Sequence, residues 1–540
     1  MIQKITMNKC AYRPSEDVLL NVTSTQVETA TIAVHHLNEL ILQKNVSLVL
    51  GKNEVSLGAF PLGGYFVEAQ DCTTAFDVVN QLTDVPRYGF VSNFTTVDVD
   101  HETIFEQLND YHLTTIQFYD WMYRHDDLIN DETVYADFFG RKIDNRILKD
   151  KIDLCHRYGM FAVAYGAIYG AENGYFDHHM DELMYRTDGK FFALLDQIGM
   201  MDISIDRPWA THIIEEFKKA ILIKDFDGIH LDQYGFPKYA LRSDGSLLDF
   251  ERELPKFINR VLDELKGLKP ELFIDFNYVN NWPIETIAQS KQDVVYIEVW
   301  NPNNTYEDLR RIITESKLRA SGKPVVLAAY LPPFKDQTDP QAAENGALFL
   351  HAICSSLGAY NLLYGEDDGI LSNAYYVDYK HYRPEFGKIV KQYLDFIVKY
   401  GELLYQDKVD LSYTSFGGYD GTNTDFYINQ PTSIKAEPGY LYAVLSRAKE
   451  FSLINLINLT DQTEVVWYDE KKTPRPVVDT TIRILNTRKI KEVFLASPDH
   501  DRGRMIKLDH RIVAHEHGEA VEFTIEKIHY WTMVYMTYER

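Results

Sequence analysis

The alternation of apolar and polar positions predicts a β-rich segment at the start of the chain, over residues 1–83. Alternation with a period of two places apolar side chains on one face of a strand, and the runs here recur at roughly ten-residue spacing between turn residues. The runs are VLLNVTS (18–24), ATIAVHHL (30–37), VSLVLG (46–51) and GGYFVEAQD (63–71). This pattern predicts a small immunoglobulin-like β-sandwich as the N-terminal domain.

Between residues 84 and 400 short apolar runs alternate with longer stretches of helical periodicity, such as 247–268 and 306–318. Such alternation predicts a central (β/α)8 TIM barrel. A doubly wound open sheet is the alternative, but no Gly-rich phosphate loop follows the first run. The eight predicted strands are YGFVSNF (88–94), TTIQFYD (114–120), FAVAYGAIYG (161–170), GIHLDQYG (228–235), LFIDFNYVN (272–280), VVYIEVW (294–300), PVVLAAYL (324–331) and AYNLLYG (359–365).

Residues 401–540 again carry strand-like runs, broken by Gly, Asn, Asp and Pro. This pattern predicts a C-terminal antiparallel β-sandwich, so that the whole chain is a multidomain protein with a central barrel. The runs are 409–416, 425–431, 439–447, 451–459, 481–486, 492–497, 520–527 and 531–538.

The charge of the chain excludes several classes of partner. With 55 Lys and Arg against 80 Asp and Glu, the net charge is −25. Nucleic acids and anionic membrane surfaces bind basic faces, so we expect neither as a partner. No apolar run approaches the ~18 residues of a membrane span, and we expect a protein that is cytoplasmic, or secreted with its leader already removed. A neutral polymer suits the 36 tyrosines, because sugar rings stack on aromatic faces.

The four cysteines lie at positions 10, 72, 155 and 354, without the spacing of a metal site. Cys10 and Cys72 could meet on paired strands of the N-terminal domain, but buried free thiols are the expected state.

In a barrel of this kind the functional side chains lie at the carboxyl ends of the strands. The residues at those ends are carboxylates, amides and aromatics with few lysines, which is typical of a sugar-binding cleft. The positions are Asn93, Asp120, Trp121, Tyr169, Asp232, Gln233, 277–281, Glu298, Trp300, Asn361 and 366–368.

Asp232 and Glu298 are the two acids most deeply embedded in apolar strand sequence. Glycoside hydrolysis uses two carboxyl groups, one that attacks or stabilises the anomeric centre and one that protonates the leaving oxygen. The alternative is structural, since a strand-end acid can also cap a helix or pair with an arginine.

Four stretches, in this order, resemble glycoside hydrolase family 66, which holds dextranases and cycloisomaltooligosaccharide glucanotransferases. They are RYGFVSNF (87–94), IQFYDWMYRHD (116–126), GIHLDQYG (228–235) and YIEVWNP (296–302). The resemblance implies an immunoglobulin-like module before the barrel and a β-sandwich after it. It also implies a retaining mechanism, with Asp232 as nucleophile and Glu298 as general acid/base.

The same resemblance suggests substrate contacts around these two acids. Asp120 and His125 could hold hydroxyls of the sugar next to the scissile bond, with Trp121 shaping the wall. Further candidates are Tyr88, Gln233, Asn277, Trp300 and Asn361. Each of these residues has packing as its alternative role.

No metal ion and no cofactor are expected. HEHGE (515–519) is not the HExxH zinc motif and is expected to be a solvated hairpin. DHHMDE (177–182) is expected to be a loop or a substrate contact. The acidic run GEDDG (365–369) lacks the alternate spacing of a calcium loop and is expected to line the cleft or cap a helix.

The predicted substrate is an α-1,6-glucan, namely dextran or isomaltooligosaccharides, cleaved by an endo-acting hydrolase that works as a monomer. Cyclising members of the family carry a binding module inserted late in the barrel, whereas residues 330–361 are too few for one. Glucan cyclisation, trimming of short isomaltooligosaccharides and non-catalytic glucan binding remain as alternatives.

Overall fold

Seven antiparallel strands form the N-terminal part of the computed structural model, which describes residues 1–95, 99–320, 322–336, 339–415 and 425–539. A three-stranded and a four-stranded sheet enclose one buried cluster that includes Ile32, Val34 and Val67. The predicted run 46–51 instead spans two strands, because a turn at Val49 and Leu50 separates them. The strands are Ile2–Met7, Val18–Ser24, Glu28–His36, Glu39–Leu48, Gly51–Gly58, Gly63–Ala69 and Cys72–Val78.

The central part contains eight parallel strand segments, each within one of the predicted runs. Each of these strands pairs with the next parallel strand along the chain, from the first to the eighth. The eighth segment, Tyr360–Leu362, pairs with the seventh strand. After one intervening residue, the short strand Tyr364–Gly365 pairs with the first strand, with Gly365 opposite Phe90. In chain order the eight parallel strands are Tyr88–Val91, Thr115–Phe118, Phe161–Ala167, Gly228–Asp232, Phe273–Asn277, Val294–Glu298, Val325–Ala328 and Tyr360–Leu362.

Helices connect these strands and cover them. Phe250–Lys266 and Tyr306–Arg319 agree with the predicted helical stretches, and both place apolar residues such as Leu254 and Ile313 in the core. The other long helices are His101–Asp110, Asn145–Arg157, Pro208–Lys224, Pro340–Ser356 and Pro384–Lys399. Short helices are Asn173–Phe176, Ile284–Ile287, Pro333–Asp336, Gly401–Leu404 and Ser412–Ser415.

Several short strands lie in the loops that follow the parallel strands. Ala193–Leu194 and Ile198–Met200 form a hairpin whose tip reaches the pocket described below. The remaining short strands are Val134–Ala136, Lys142–Asp144, Gly170–Glu172, Tyr239–Leu241, Leu247–Asp249, Gly369–Ile370 and Lys380–His381.

Alternate residues of the parallel strands belong to two separate apolar clusters. Val163, Phe273 and Tyr296 lie in a small cluster formed largely by the strands themselves. Their neighbours along the chain, such as Ala164 and Ile274, lie in the large cluster that includes the helices. The strands are therefore buried on both faces, which explains why their sequences are nearly continuous apolar runs.

The C-terminal part is an antiparallel β structure with two main sheets around a shared core that includes Leu456, Ile482 and Val534. In the predicted run 409–416 the strand covers only Val409–Asp410 and a helical turn follows, while Phe416 lies outside the described residues. The strands are Val409–Asp410, Phe426–Ile428, Thr432–Ser433, Leu441–Arg447, Phe451–Asn458, Val477–Leu485, Ile490–Ala496, Ile506–Leu508, His510–His515, Gly518–Ile528 and Trp531–Tyr538.

Both flanking parts pack on the central one, giving a multidomain, mostly β protein. Buried Arg87 pairs with Asp77 at 2.6 Å, joining the N-terminal strands to the start of the central part. On the other side the Trp467 indole donates to the Asn303 carbonyl at 2.7 Å. All four cysteines are free; Cys10, Cys155 and Cys354 are buried as expected, whereas Cys72 is half-buried. Among the described residues no helix combines the length and apolar character needed to cross a membrane.

Candidate active site

A pocket of about 540 Å³ opens at the carboxyl ends of the parallel strands and contains both predicted catalytic acids. Asp232 is the last residue of the fourth parallel strand and Glu298 the last of the sixth. Asn277 ends the fifth strand, which lies between them. Because neighbouring parallel strands end at the same edge, the three side chains converge.

One nitrogen bridges the two acids. Asn277 Nδ2 donates to Asp232 Oδ1 at 2.8 Å and to Glu298 Oε2 at 3.0 Å. The two accepting oxygens therefore cannot be farther apart than the sum of those distances. So close an approach of one oxygen from each acid favours the ~5–5.5 Å carboxyl separation of retaining glycosidases over the ~6.5–9.5 Å of inverting ones.

Two tyrosines hold the remaining oxygens of the acids. Tyr165 Oη donates to Asp232 Oδ2 at 2.7 Å, and Tyr330 Oη donates to Glu298 Oε1 at 2.8 Å. Each carboxyl group thus accepts a neutral donor on each oxygen. This fixes the rotamers of both acids before any substrate arrives.

The electrostatic surroundings make the two acids unequal. Burial raises the pKa of both carboxyl groups above their usual values. At Asp232 the charge of His230 acts against burial and lowers the pKa. At Glu298 the charge of Asp232 raises the pKa further. The charge of His230 thus favours the ionised form of Asp232, and the charge of Asp232 favours the protonated form of Glu298.

His230 lies two residues before Asp232 on the same strand and lines the same pocket. Its Nδ1 lies 3.1 Å from both carboxyl oxygens of buried Asp275, which also accepts a hydrogen bond from Tyr88 Oη at 2.5 Å. Burial opposes the charged form of His230, but the Asp275 carboxylate outweighs it and raises the pKa of the imidazole. The Asp275 carboxylate therefore favours the protonated, positively charged form of His230 next to Asp232.

Asp120 and His125 also line the pocket. Asp120 adopts a left-handed backbone conformation, with φ 51°, and its carboxylate lies 3.3 Å from Arg141 Nη2. Burial raises the pKa of Asp120 to about 6, although the charge of Arg141 acts in the opposite direction. His125 is held by Glu172, whose carboxylate lies 3.2 Å from both its backbone nitrogen and Nδ1.

Gln233 and Trp300 border the acids on either side. Gln233 Nε2 donates to the backbone carbonyl of Asn277 at 3.1 Å, and its Oε1 accepts from the Gly235 amide at 2.8 Å. Gln233 thus steadies the segment that carries Asn277. Trp300 is 44% exposed, and its ring centre lies 5.9 Å from that of Tyr330. It offers a flat apolar surface to solvent at the pocket wall.

The structure places three of the predicted substrate contacts away from the pocket lining. Trp121 is fully buried, packs on Phe226 and donates its indole N–H to the Tyr165 carbonyl, because the chain turns inward after the second strand. Tyr88 lies beneath His230, bonded to Asp275. Asn361 is on the eighth strand and is absent from the lining residues.

The acidic run 365–369 also lies away from the lining residues. Glu366 is buried and accepts backbone N–H bonds from Ser92 at 2.6 Å and Asn93 at 2.7 Å. Its other oxygen pairs with Lys151. The expectation that this run lines the cleft or caps a helix is therefore wrong for Glu366, which ties the first strand to the eighth.

Much of the pocket wall is aromatic and was missed by reasoning from strand ends. Tyr119 and Tyr376 stack with ring centres 4.4 Å apart, and Tyr376 Oη lies 2.8 Å from Tyr296 Oη. The signal that could have found Tyr165 and Tyr296 is the alternation of tyrosine with apolar residues inside the strands. The lining residues not predicted are Gln117, Tyr119, Phe139, Tyr165, Leu194, Leu195, Ile198, His230, Tyr234, Gly235, Tyr296, Tyr330, Ala374, Tyr375 and Tyr376.

Two neighbouring carboxyl groups, whose surroundings favour different protonation states, lie in a pocket lined by tyrosines. This is the arrangement that a glycoside hydrolase uses to act on one anomeric carbon. The sequence matches the model of glycosyl hydrolase family 66 over residues 7–535, and the chain belongs to this family.

Relatives of the chain include two enzymes of different product type. A cycloisomaltooligosaccharide glucanotransferase from Niallia circulans is 22% identical over 713 aligned positions, covering 99% of this chain and 72% of the relative. A dextranase from Streptococcus salivarius is 22% identical over 458 aligned positions, covering 73% of this chain and 55% of that enzyme.

A solved structure shares the fold along almost the whole chain. The crystal structure of a cycloisomaltooligosaccharide glucanotransferase from Paenibacillus sp., complexed with cycloisomaltoheptaose, matches with a TM-score of 0.90. The two are 21% identical, and the match covers 99% of each chain. At 21% identity this likeness establishes the shared fold but not the reaction, which is inferred from the geometry of the site.

Proposed function

We propose that the protein is a retaining, endo-acting glycoside hydrolase that cleaves α-1,6-glucosidic bonds of dextran or isomaltooligosaccharides. Membership of family 66 and the dextranase among its relatives support the substrate class. The observation that carries the mechanism is the shared Asn277 donor, which limits the distance between Asp232 and Glu298.

In the proposed reaction Asp232 is the nucleophile. Its carboxylate forms a bond to the anomeric carbon while the glycosidic C–O bond breaks, and Glu298 gives its proton to the departing oxygen. In the second step Glu298 takes a proton from water, the water oxygen bonds to the anomeric carbon, and the bond to Asp232 breaks. The raised pKa of Glu298 suits the first step, and the charge of His230 favours the ionised form of Asp232.

The surrounding residues are proposed to hold the sugar. Asp120 and His125 provide polar groups on one side of the acids, and Trp300 provides a stacking surface. Gln233 and Asn277 act on the acids and their backbone more than on the substrate. Tyr88, Trp121 and Asn361 are left out of this set because none of them lines the pocket.

Release of reducing ends from dextran by the purified protein tests the proposal. Asp232→Asn and Glu298→Gln should each lose at least a thousandfold in rate, about 4 kcal/mol of barrier, while melting as the wild type does. His178→Gln, at an exposed loop position outside the pocket lining, is the matched control and should keep full activity. Full activity of the Asp232→Asn protein would refute the assignment.

Glucan cyclisation is the second candidate, favoured by the match to the glucanotransferase structure. The same glycosyl-enzyme can be captured by water or by the far end of the same glucan chain. Chromatography of dextran digests separates the outcomes: linear products with an early fall in viscosity indicate endo-hydrolysis, and cyclic products indicate cyclisation. Digestion restricted to short oligosaccharides would indicate trimming.

We further propose that the parallel strands close into a (β/α)8 barrel, residues 84–400, between domains at 1–83 and 401–540. The pairing of Gly365 with Phe90 and the two apolar clusters on alternate strand residues support closure. We also propose that the functional unit is a monomer. Limited proteolysis and size-exclusion chromatography test these two points.

A further inference from the structure

Three metal-ligating side chains meet far from the active site, at one end of the C-terminal four-stranded sheet. A carboxylate oxygen of Asp425 and one ring nitrogen each of His515 and His517 lie within 4.8 Å of one another. In the part of the chain that the structure describes, no other group of three His, Cys, Asp or Glu residues comes together in this way.

The backbone of the sheet fixes where these side chains lie. Asp425 directly precedes the strand Phe426–Ile428, and its carbonyl accepts the Leu485 amide at 2.7 Å. Leu485 is in turn paired with Ala520, close to the hairpin that joins His510–His515 to Gly518–Ile528. Strand pairing therefore brings Asp425 beside a hairpin about 90 residues away along the chain.

The contacts inside the group orient its donors. His517 Nδ1 lies 3.0 Å from Asp425 Oδ1, and His515 Nδ1 accepts the His517 backbone N–H at 3.1 Å. The two imidazole rings lie 5.3 Å apart, centre to centre. A carboxylate next to one of two neighbouring imidazoles is a common arrangement in zinc sites, either as a ligand or as the partner that sets the tautomer.

The donor set selects the kind of ion. Two imidazoles and one carboxylate suit zinc, nickel or copper, whereas calcium and magnesium prefer sites made of oxygen alone. Three protein ligands leave one position of a tetrahedral site for water. The HEHGE sequence does not reveal this arrangement, because the third ligand comes from a distant strand.

We propose that Asp425, His515 and His517 form a binding site for one divalent transition-metal ion of the zinc class. A bound ion would link the start of the strand at Phe426 to the hairpin at 516–517 and so stabilise this end of the sheet. The site is structural and takes no part in glycoside cleavage.

Isothermal titration of the metal-free, full-length protein with ZnCl2 tests the proposal, with CaCl2 as a second titrant. We expect one zinc ion per chain with a micromolar Kd, no comparable calcium binding, and a rise in melting temperature with zinc. His515→Ala and His517→Ala should each weaken zinc binding at least tenfold and abolish the rise. His178→Ala, which removes an exposed histidine elsewhere, should change neither result.

Absence of zinc binding to the wild-type protein would overturn the proposal and leave the group as a hydrogen-bonded hairpin. Equal binding by the wild type and both histidine variants would overturn it as well, by showing that the zinc is bound elsewhere. Asp425→Asn separates two roles within the proposal: a tenfold loss indicates a direct ligand, and a smaller loss indicates a partner of His517.

Discussion

Asp232 and Glu298 accept hydrogen bonds from the same side-chain nitrogen, that of Asn277, at 2.8 and 3.0 Å. One neutral donor thus holds together two acids whose charges repel when both are ionised. Since each amide hydrogen can serve one acid, the bridge persists whether Glu298 is protonated or not. The spacing of the proposed nucleophile and the proposed proton donor therefore depends on a residue with no proposed chemical role of its own.

Replacing Asn277 with alanine should separate the two acids without changing either. We expect kcat to fall about 100-fold, equivalent to roughly 2.7 kcal/mol, as when a single preorganised donor is removed from other active sites. Steady-state kinetics on dextran measure the effect, and thermal melting checks that the fold is retained. An Asn277→Ala protein with unchanged kcat would show that the bridge is incidental.

Replacing His230 with glutamine should change the pH dependence of the reaction. The charge of His230 is the largest influence that lowers the pKa of Asp232 against burial, so Asp232 should ionise at higher pH when that charge is lost. Because the proposed nucleophile must be ionised, we expect the acidic limb of the kcat/KM profile to move to higher pH.

The alkaline limb, which reports Glu298 losing its proton, should move less. His178→Gln is the control and should leave both limbs in place. An acidic limb that stays where it is in the His230→Gln protein would contradict the proposed charge effect.

Trp300 should contribute binding rather than chemistry. It is half-exposed at the pocket wall, where its ring face is open to a sugar, and its side chain also forms a hydrogen bond with Glu298 that acts to lower the pKa of that acid. We expect Trp300→Ala to raise KM about tenfold, or ~1.4 kcal/mol, with kcat little changed, and Trp300→Phe to recover most of the loss. A fall in kcat at unchanged KM would instead assign Trp300 to positioning Glu298.

The buried pair Arg87–Asp77 should dominate the attachment of the N-terminal strands. Both residues are almost fully buried, at 4% and 5% exposure, and Arg87 also donates to the carbonyls of His112 and Cys10. Asp77→Ala leaves a buried charge unpaired, which typically costs about 3–5 kcal/mol of folding free energy.

Glu106→Ala is the matched control for this pair, because it removes an exposed ion pair with Lys52 between the same two parts of the chain. Its effect should stay within about 1 kcal/mol. Chemical denaturation of both variants measures the difference. Equal destabilisation by the two substitutions would contradict the account.

Much of this architecture could be predicted because parallel strands that are buried on both faces leave continuous apolar runs in the sequence. Asp232 and Glu298 stand out as acids that end such runs. The same property hides Tyr330, because nothing in the apolar run 324–331 distinguishes a residue that faces the pocket from one that faces the helices.

The incorrect and missed predictions have identifiable structural causes. Trp121 follows a strand end as Asp120 does, but the left-handed conformation of Asp120 turns the chain and sends the indole into the core. Asp425 joins two histidines only through strand pairing across the C-terminal sheet, a long-range relationship that spacing along the sequence cannot encode.

The central claim is that Asp232 bonds to the anomeric carbon. A fluorinated glycosyl fluoride that slows breakdown of the intermediate, followed by peptide mass spectrometry, tests it most directly. The account predicts one sugar per chain, attached to the peptide that contains Asp232 and absent from the Asp232→Asn protein. A label on another carboxylate, or no label together with products of inverted anomeric configuration, would contradict it.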